Sequence, residues 1–299
     1  MADECAAGGS LHRARLCAPA SIHYARGMGR HDRNPHDRSR RYHDRVARQY
    51  DAIYEDPYWA FHDELTWRLI KPHLPRDLSA ACADLGCGTG KWGLRLLKSG
   101  WATTFLDSSA AMIEQTRAKV AELGNKAQRS TLVVADIANM PQVEAGRFDF
   151  MLAMGDPLSI CSDPIRAARE MHRISRPGAV VVATADNKLA ALDHFVERGN
   201  LDALEAFVNS SRTQWLTSDE RERFDLTTFT PAGLRKLFEK SGFEVLSIAG
   251  KSIIPVRDNK KLLEEPGAVE RLLRLEQDLS KDPAAAARAG HLQIVAKRI

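Results

Sequence analysis

From residue 81 onward the chain alternates short apolar runs with longer amphipathic stretches, and that rhythm sets the expected fold. Apolar runs fall at 81–85, 101–106, 131–135, 148–153 and 179–183, each strand-sized and bounded by Gly, Asp or Pro. Between them lie helical stripes: Trp92, Leu94, Leu96 and Leu97; Met112, Ile113, Thr116, Val120 and Leu123; Ile165, Ala168, Met171 and Ile174. Their starts are marked by Ser108 as expected N-cap, by Asp163-Pro164 and by Thr230-Pro231, while Arg176-Pro177-Gly178 and Gly242 act as stops. A sixth strand is expected at 243–248, with 253–254 as its candidate continuation. Residues 291–297 alternate Leu292, Ile294 and Ala296 with Gln293, Val295 and Lys297, which suits an antiparallel edge or penultimate strand. The fold class is α/β: a Rossmann-like, seven-stranded, mostly parallel sheet with helices on both faces.

Three segments fall outside this repeat. Residues 1–42 carry little apolar periodicity and are expected to be a disordered basic leader. Residues 43–75 are helical in pattern, and Tyr50 and Tyr54 fall one helical turn apart. Residues 187–229 form an insertion after strand five, beginning helically and ending in two runs, Thr213 to Leu216 and Arg223 to Thr227, that can pair with each other. A further helical elaboration spans 255–290.

Composition narrows the function classes. The first 49 residues hold ten arginines against five acids, whereas the other 250 hold 33 basic and 34 acidic groups, so the net charge of +4 belongs to the leader. A near-neutral body argues against a nucleic-acid surface. No apolar run approaches the ~20 residues that span a bilayer, and no secretory signal is expected. The five cysteines form no CxxC pair, so no metal site is expected and the compartment is expected to be the cytoplasm. The oligomeric state stays open.

The chemistry concentrates where the first apolar run meets its helix, at Asp84-Leu85-Gly86-Cys87-Gly88-Thr89-Gly90. Glycines there permit φ > 0 and bring backbone N–H groups close to a ligand at a helix N-terminus. The spacing is Gly-x-Gly-x-Gly, not the Gly-x-Gly-x-x-Gly of dinucleotide folds, which disfavours a nicotinamide cofactor. With Asp84 in front, the run resembles motif I of the class I S-adenosylmethionine (SAM) methyltransferases, and the resemblance extends over roughly 43–299. It implies that the cofactor is SAM, with S-adenosylhomocysteine (SAH) as product. It further implies that Asp84, Gly86, Cys87, Gly88 and Gly90 hold its methionine end. Asp107, 17 residues beyond Gly90 and followed by Ser108, would take the ribose hydroxyls. Asp136 and Ile137 would take the adenine, Met154 would border the site, and Tyr50 and Tyr54 would close it as a helical lid.

The loop Met154-Gly155-Asp156-Pro157 would face the methyl group, so Asp156 is a candidate for catalysis or substrate contact. His194, in the substrate-covering insertion, is a second candidate base, and Trp215, Arg221 and Arg223 are candidate specificity residues. The Asp/Asn-Pro-Pro-Tyr/Phe motif of planar-amine methylation is absent, and so is a Pro-Cys nucleophile. A lone Cys161 does not make a multi-thiol site. The resemblance therefore implies in-line methyl transfer to a small-molecule N, O, S or C acceptor. The alternatives are an RNA or protein methyltransferase recruited by the leader, and a SAM-binding scaffold without activity.

Overall fold

In the computed structural model, which describes residues 35–214 and 223–299, helix α1 (Pro35–Val46) begins inside the stretch whose composition suggests a leader. A 3-10 turn joins it to α2 (Tyr50–Ile53). Helix α3 (Pro57–Ile70) then starts with Asp56 as cap, its carboxylate accepting from Tyr58 N at 2.8 Å, and Pro57 at the first position.

The sheet follows the expected rhythm: β1 (Ala81–Leu85), α4 (Lys91–Ser99), β2 (Ala102–Asp107), α5 (Ala110–Ala121), β3 (Ser130–Val134) and β4 (Phe148–Ala153). A short α6 (Pro157–Ile160) and α7 (Pro164–Ile174) lead to β5 (Ser175–Asp186), which is longer than its apolar run and takes in Pro177-Gly178 beside an irregularity in β4. The insertion forms α8 (Leu192–Glu197), α9 (Leu201–Ser210) and the expected antiparallel pair, β6 (Arg212–Gln214) with β7 (Asp225–Thr227). Helix α10 (Pro231–Lys240), β8 (Phe243–Lys251), α11 (Ala268–Leu279), α12 (Pro283–Arg288) and β9 (His291–Arg298) complete the chain, and 253–254 does not resume a strand.

Strand order is β3-β2-β1-β4-β5-β9-β8, with β9 antiparallel to both neighbours and every other pair parallel. Both faces are covered, so side chains of one strand serve two cores. Val181, Ala183 and Ala185 of β5 pack with Met171, Phe238 and Phe243 on one face, while Val182 packs with Ile70, Trp92 and Leu96 on the other. Parallel strands aligned in this way carry all their carboxyl ends to one edge, where ligands of such sheets bind.

Two further details differ from the sequence pattern. Ser109, not Ser108, caps α5, its buried hydroxyl accepting from Met112 N at 3.1 Å. The reason is Asp107, which anchors Ser109 N at 2.8 Å and shifts the helix start by one residue. Ile165 is exposed and Ala167 takes the inward place, because Asp163 caps α7 through both Ile165 N and Arg166 N and so sets the helix's rotation.

Candidate active site

The turn after β1 is a left-handed sequence, with φ of +68° at Gly86, +53° at Gly88 and +86° at Gly90. Gly86 N and Cys87 N both donate to Leu106 O, at 2.7 and 2.9 Å, and Gly88 N donates to Asp107 Oδ2 at 2.8 Å. The turn is thus stapled to the end of β2. A Cβ on Gly86 would sit 2.8 Å from Pro157 Cβ, so the turn also lies directly against the loop after β4.

Asp84 is fully buried. Its Oδ2 accepts from Gly93 N at 2.7 Å and its Oδ1 has no partner, so burial pushes its carboxyl up to about 7. It braces the start of α4 from behind and does not reach the cleft. Gly88 and Gly90 are not among the residues that line the cleft: Gly88, half-buried, lies beside the Tyr50 ring, and Gly90, buried, lies against Thr116. Their positive φ shapes the turn.

A cleft of about 250 Å³ opens at the carboxyl edge of the sheet. Its floor contains Gly86, Cys87 and Thr89, then Asp107 and Ser108, Asp136 and Ile137, and Met154 with Asp156, from β1, β2, β3 and β4 in turn. The Asp107 carboxylate accepts from Gly88 N and Ser109 N. Burial raises its pKa and those donors, with the charge of His43, oppose the rise. Asp136 Oδ1 accepts from Ala138 N at 2.9 Å, and the residue lines the cleft.

Over this floor lies a continuous row of rings. Phe224 meets Tyr42 and His43; His43 meets Tyr50, Tyr50 meets Tyr54, Tyr54 meets Trp59, Trp59 meets His62, and His62 meets His291, with centroids 4.9–6.0 Å apart throughout. The row is pinned by short hydrogen bonds: Ser109 Oγ to Asp44 Oδ1 and Thr89 Oγ1 to Asp51 Oδ1, both 2.6 Å, with Lys119 on the other oxygen of Asp51.

The far end of the cleft is acidic and basic at once. Gly155 N and Asp156 N both donate to Thr184 Oγ1, at 3.1 and 2.9 Å, and hold Asp156 in a left-handed conformation at φ +61°. Its Oδ2 lies 2.7 Å from His291 Nδ1. Burial works to raise the Asp156 pKa, but the His291 charge holds it well below the ordinary carboxylate range. Asp186 stands 3.8 Å from the same nitrogen, pushed up to about 7 by burial and by Asp156.

Of the residues singled out from the sequence, Tyr50, Tyr54, Gly86, Cys87, Asp107, Ser108, Asp136, Ile137, Met154 and Asp156 come together in this cleft. His194 does not: it sits on α8 with its ring edge-on to Phe195, away from the cleft. Arg223 is likewise outside it, although its neighbour Phe224 is a wall residue. Trp215 and Arg221 lie outside the described residues. The sequence reading missed His291, Asp186 and Trp59. The signal for the first two was their place at the ends of apposed strands, but their register is set by tertiary structure.

Residues 82–178 match the methyltransferase domain family. The stretch from β1 into β5 is thus similar to a methyltransferase domain. The demethylmenaquinone methyltransferase of Staphylococcus epidermidis is 29% identical over 141 residues, covering 46% of this chain and 55% of that protein. The malonyl-[acyl-carrier protein] O-methyltransferase of Pseudescherichia vulneris is 35% identical over 117 residues, 39% of this chain and 43% of that protein. The chain therefore aligns with about half the length of the curated relatives it matches. A SAM-dependent methyltransferase structure from Methanosarcina mazei shares the fold at a TM-score of 0.56, with 18% identity over 77% of this chain and 97% of that one. No helix among the described residues is long and apolar enough to cross a membrane.

Proposed function

We propose that the methyltransferase domain binds SAM in this cleft and transfers its methyl group to a small-molecule acceptor by in-line displacement, leaving SAH. The observation that carries the reading is Asp107. Its carboxylate ends β2 at the cleft floor, fixes Gly88 of the glycine turn and keeps acceptor capacity facing the cavity, the arrangement a ribose diol needs. The donor set fits the rest of the cofactor: the turn residues Gly86, Cys87 and Thr89 would take the methionine end, Asp136 and Ile137 a flat polar base, and Tyr50 and Tyr54 would offer aromatic faces to the positive sulfonium.

When bound, SAM supplies an electrophilic methyl group. The protein's part is to orient the two reactants and to exclude water, effects worth several kcal/mol of barrier. The row of rings from Tyr42 to Trp59 does both. A small acceptor is supported by the narrow covered cleft, by the near-neutral body and by relatives whose named acceptors are a quinone precursor and a carrier-bound malonyl group.

Incubating the full chain with tritiated-methyl SAM and a panel of small hydroxyl, amine, thiol and carboxyl acceptors should move label into the small-molecule fraction. Label found only in added protein or RNA would replace the acceptor class, and SAM binding with no transfer at all would favour a scaffold.

A further inference from the structure

His291 opens β9 at the position where three strands place ionisable groups in one row. The antiparallel register sets Asp186 of β5 opposite His291, and His291 opposite Lys251 of β8. Directly opposed residues point to the same face, so the row converges. Asp156 enters from the loop after β4, and His62 meets the imidazole edge-on from α3 at 5.6 Å. Among the described residues, these four are the charged or titratable groups facing His291.

The two nitrogens of His291 are in different environments. Nδ1 is buried and lies 2.7 Å from Asp156 Oδ2. Nε2 is not among the buried atoms and has no hydrogen-bond partner among the described residues, and the residue lines the cleft. Trp59 and Tyr54 form the aromatic wall at this end. A flat ring fits against such a wall, and a hydroxyl on that ring can meet Nε2.

We propose that His291 is the proton acceptor of the transfer step and that the substrate carries an ionisable hydroxyl on a planar ring, a phenol or an enol. The proposal rests on the methyltransferase reading above. The substrate O–H bond breaks and its proton passes to Nε2. The electron pair left behind attacks the methyl carbon, directly from oxygen or through the conjugated ring carbon, as the carbon–sulfur bond breaks with its pair going to sulfur. The imidazolium is held by Asp156 and Asp186 and returns its proton to solvent. Asp156 acts as a positioning residue, since its oxygen sits on the far nitrogen.

The electrostatics agree with this assignment. Burial works against the imidazolium, but Asp156 and then Asp186 raise the His291 pKa above its ordinary value of 6.5, which narrows the gap to a phenolic hydroxyl near 10. Burial lowers Lys251 to about 8, and burial with Lys251 lowers His62 to about 4, leaving His62 neutral. Once His291 has taken the proton, it and Lys251 match the two acids, so the cluster is then charge-balanced without an added ion. Its ligating atoms lie within 4.8 Å of one another, which makes a divalent cation the competing occupant to be tested.

The test uses the full chain saturated with SAH and 4-nitrophenol or 4-nitrocatechol as probe, whose ionised forms absorb in the visible. Calorimetry with SAH comes first: if SAH does not bind, the methyltransferase reading fails and not this inference alone. Given binding, the probe's acid–base midpoint should fall by about one unit on the wild type, a tenfold change in the ionised fraction. His291→Gln and His291→Asn should bind the probe at low pH yet lose that fall, while Asp156→Asn shifts the midpoint partway back and Asp156→Glu restores it. Thermal melts check that each variant is folded, and the wild-type titration stands if one is not. The proposal is overturned if neither probe binds the SAH complex, if the fall persists in both His291 variants, or if it requires added Mg²⁺ or Mn²⁺ and vanishes with chelator.

Discussion

At the scale of single residues, the acids of the cleft divide by what holds them. Asp84 is the penultimate residue of β1 and Asp107 the last of β2, and both accept backbone N–H groups, but only Asp107 reaches the cavity. Replacing Asp107 with Ala should weaken SAM binding roughly 10- to 100-fold, the loss of charge-assisted bonds worth about 1.5–3 kcal/mol, as read by calorimetry. The sequence placed Asp107 at the strand end facing the cleft because its strand, its spacing from Gly90 and its acidity are local facts. It could not separate Asp84 from Asp107, since burial of one behind the turn is a tertiary fact. The His291–Asp156 pair carries its own pH signature. A raised His291 contributes stability that is full below about 6.5 and is lost as pH rises through its folded value. A lowered Asp156 contributes above about 4 and is lost in acid. Urea denaturation should therefore show His291→Gln to be destabilised by on the order of 1–3 kcal/mol at pH 6 and by clearly less at pH 9. An equal loss at both pH values would mean that the pair contributes only packing.

At the scale of elements, the turn after β1 depends on shape and the lid on polar pins. Gly86 and Gly124 both have positive φ, at +68° and +58°, but a Cβ would meet Pro157 at 2.8 Å in the first and nothing within 4 Å in the second. Gly86→Ala should cost about 2–4 kcal/mol, strain plus collision, while Gly124→Ala should cost only the strain, about 1 kcal/mol, in equilibrium unfolding. Comparable losses would show that the approach to Pro157 is easily relieved. Helices α1 and α2 are tied down by Asp44 on Ser109 and Asp51 on Thr89 and Lys119. Asp51→Ala should raise the SAM dissociation constant about tenfold, with a melting temperature nearly unchanged, because half-exposed pins contribute more to closure than to folding. The caps at Asp163 and Thr230 were legible because capping chemistry is local. The start of α1 at Pro35 was not, since its polar sequence becomes helical where Val46 and Ala47 pack on Met112 of α5.

Across the whole molecule, the alternation of apolar runs was enough to read five parallel strands and two later ones. It left the order of the last two open. The order β5-β9-β8 places the final strand inside the sheet and sets Asp186, His291 and Lys251 in one row. Those three residues lie far apart in sequence and share no motif, so only the register reveals them as a cluster. By contrast, the glycine turn, Asp107 and Asp136 follow one another along the chain in the order in which they line the cleft, and were legible for that reason. If this edge of the sheet is a SAM site, titration calorimetry of the full chain with SAM, SAH, NADH and NADPH will show it. Saturable one-to-one binding of SAM and SAH, with no heat from either nicotinamide, is the expected result. Binding of a nicotinamide cofactor with no response to SAM or SAH would contradict the account.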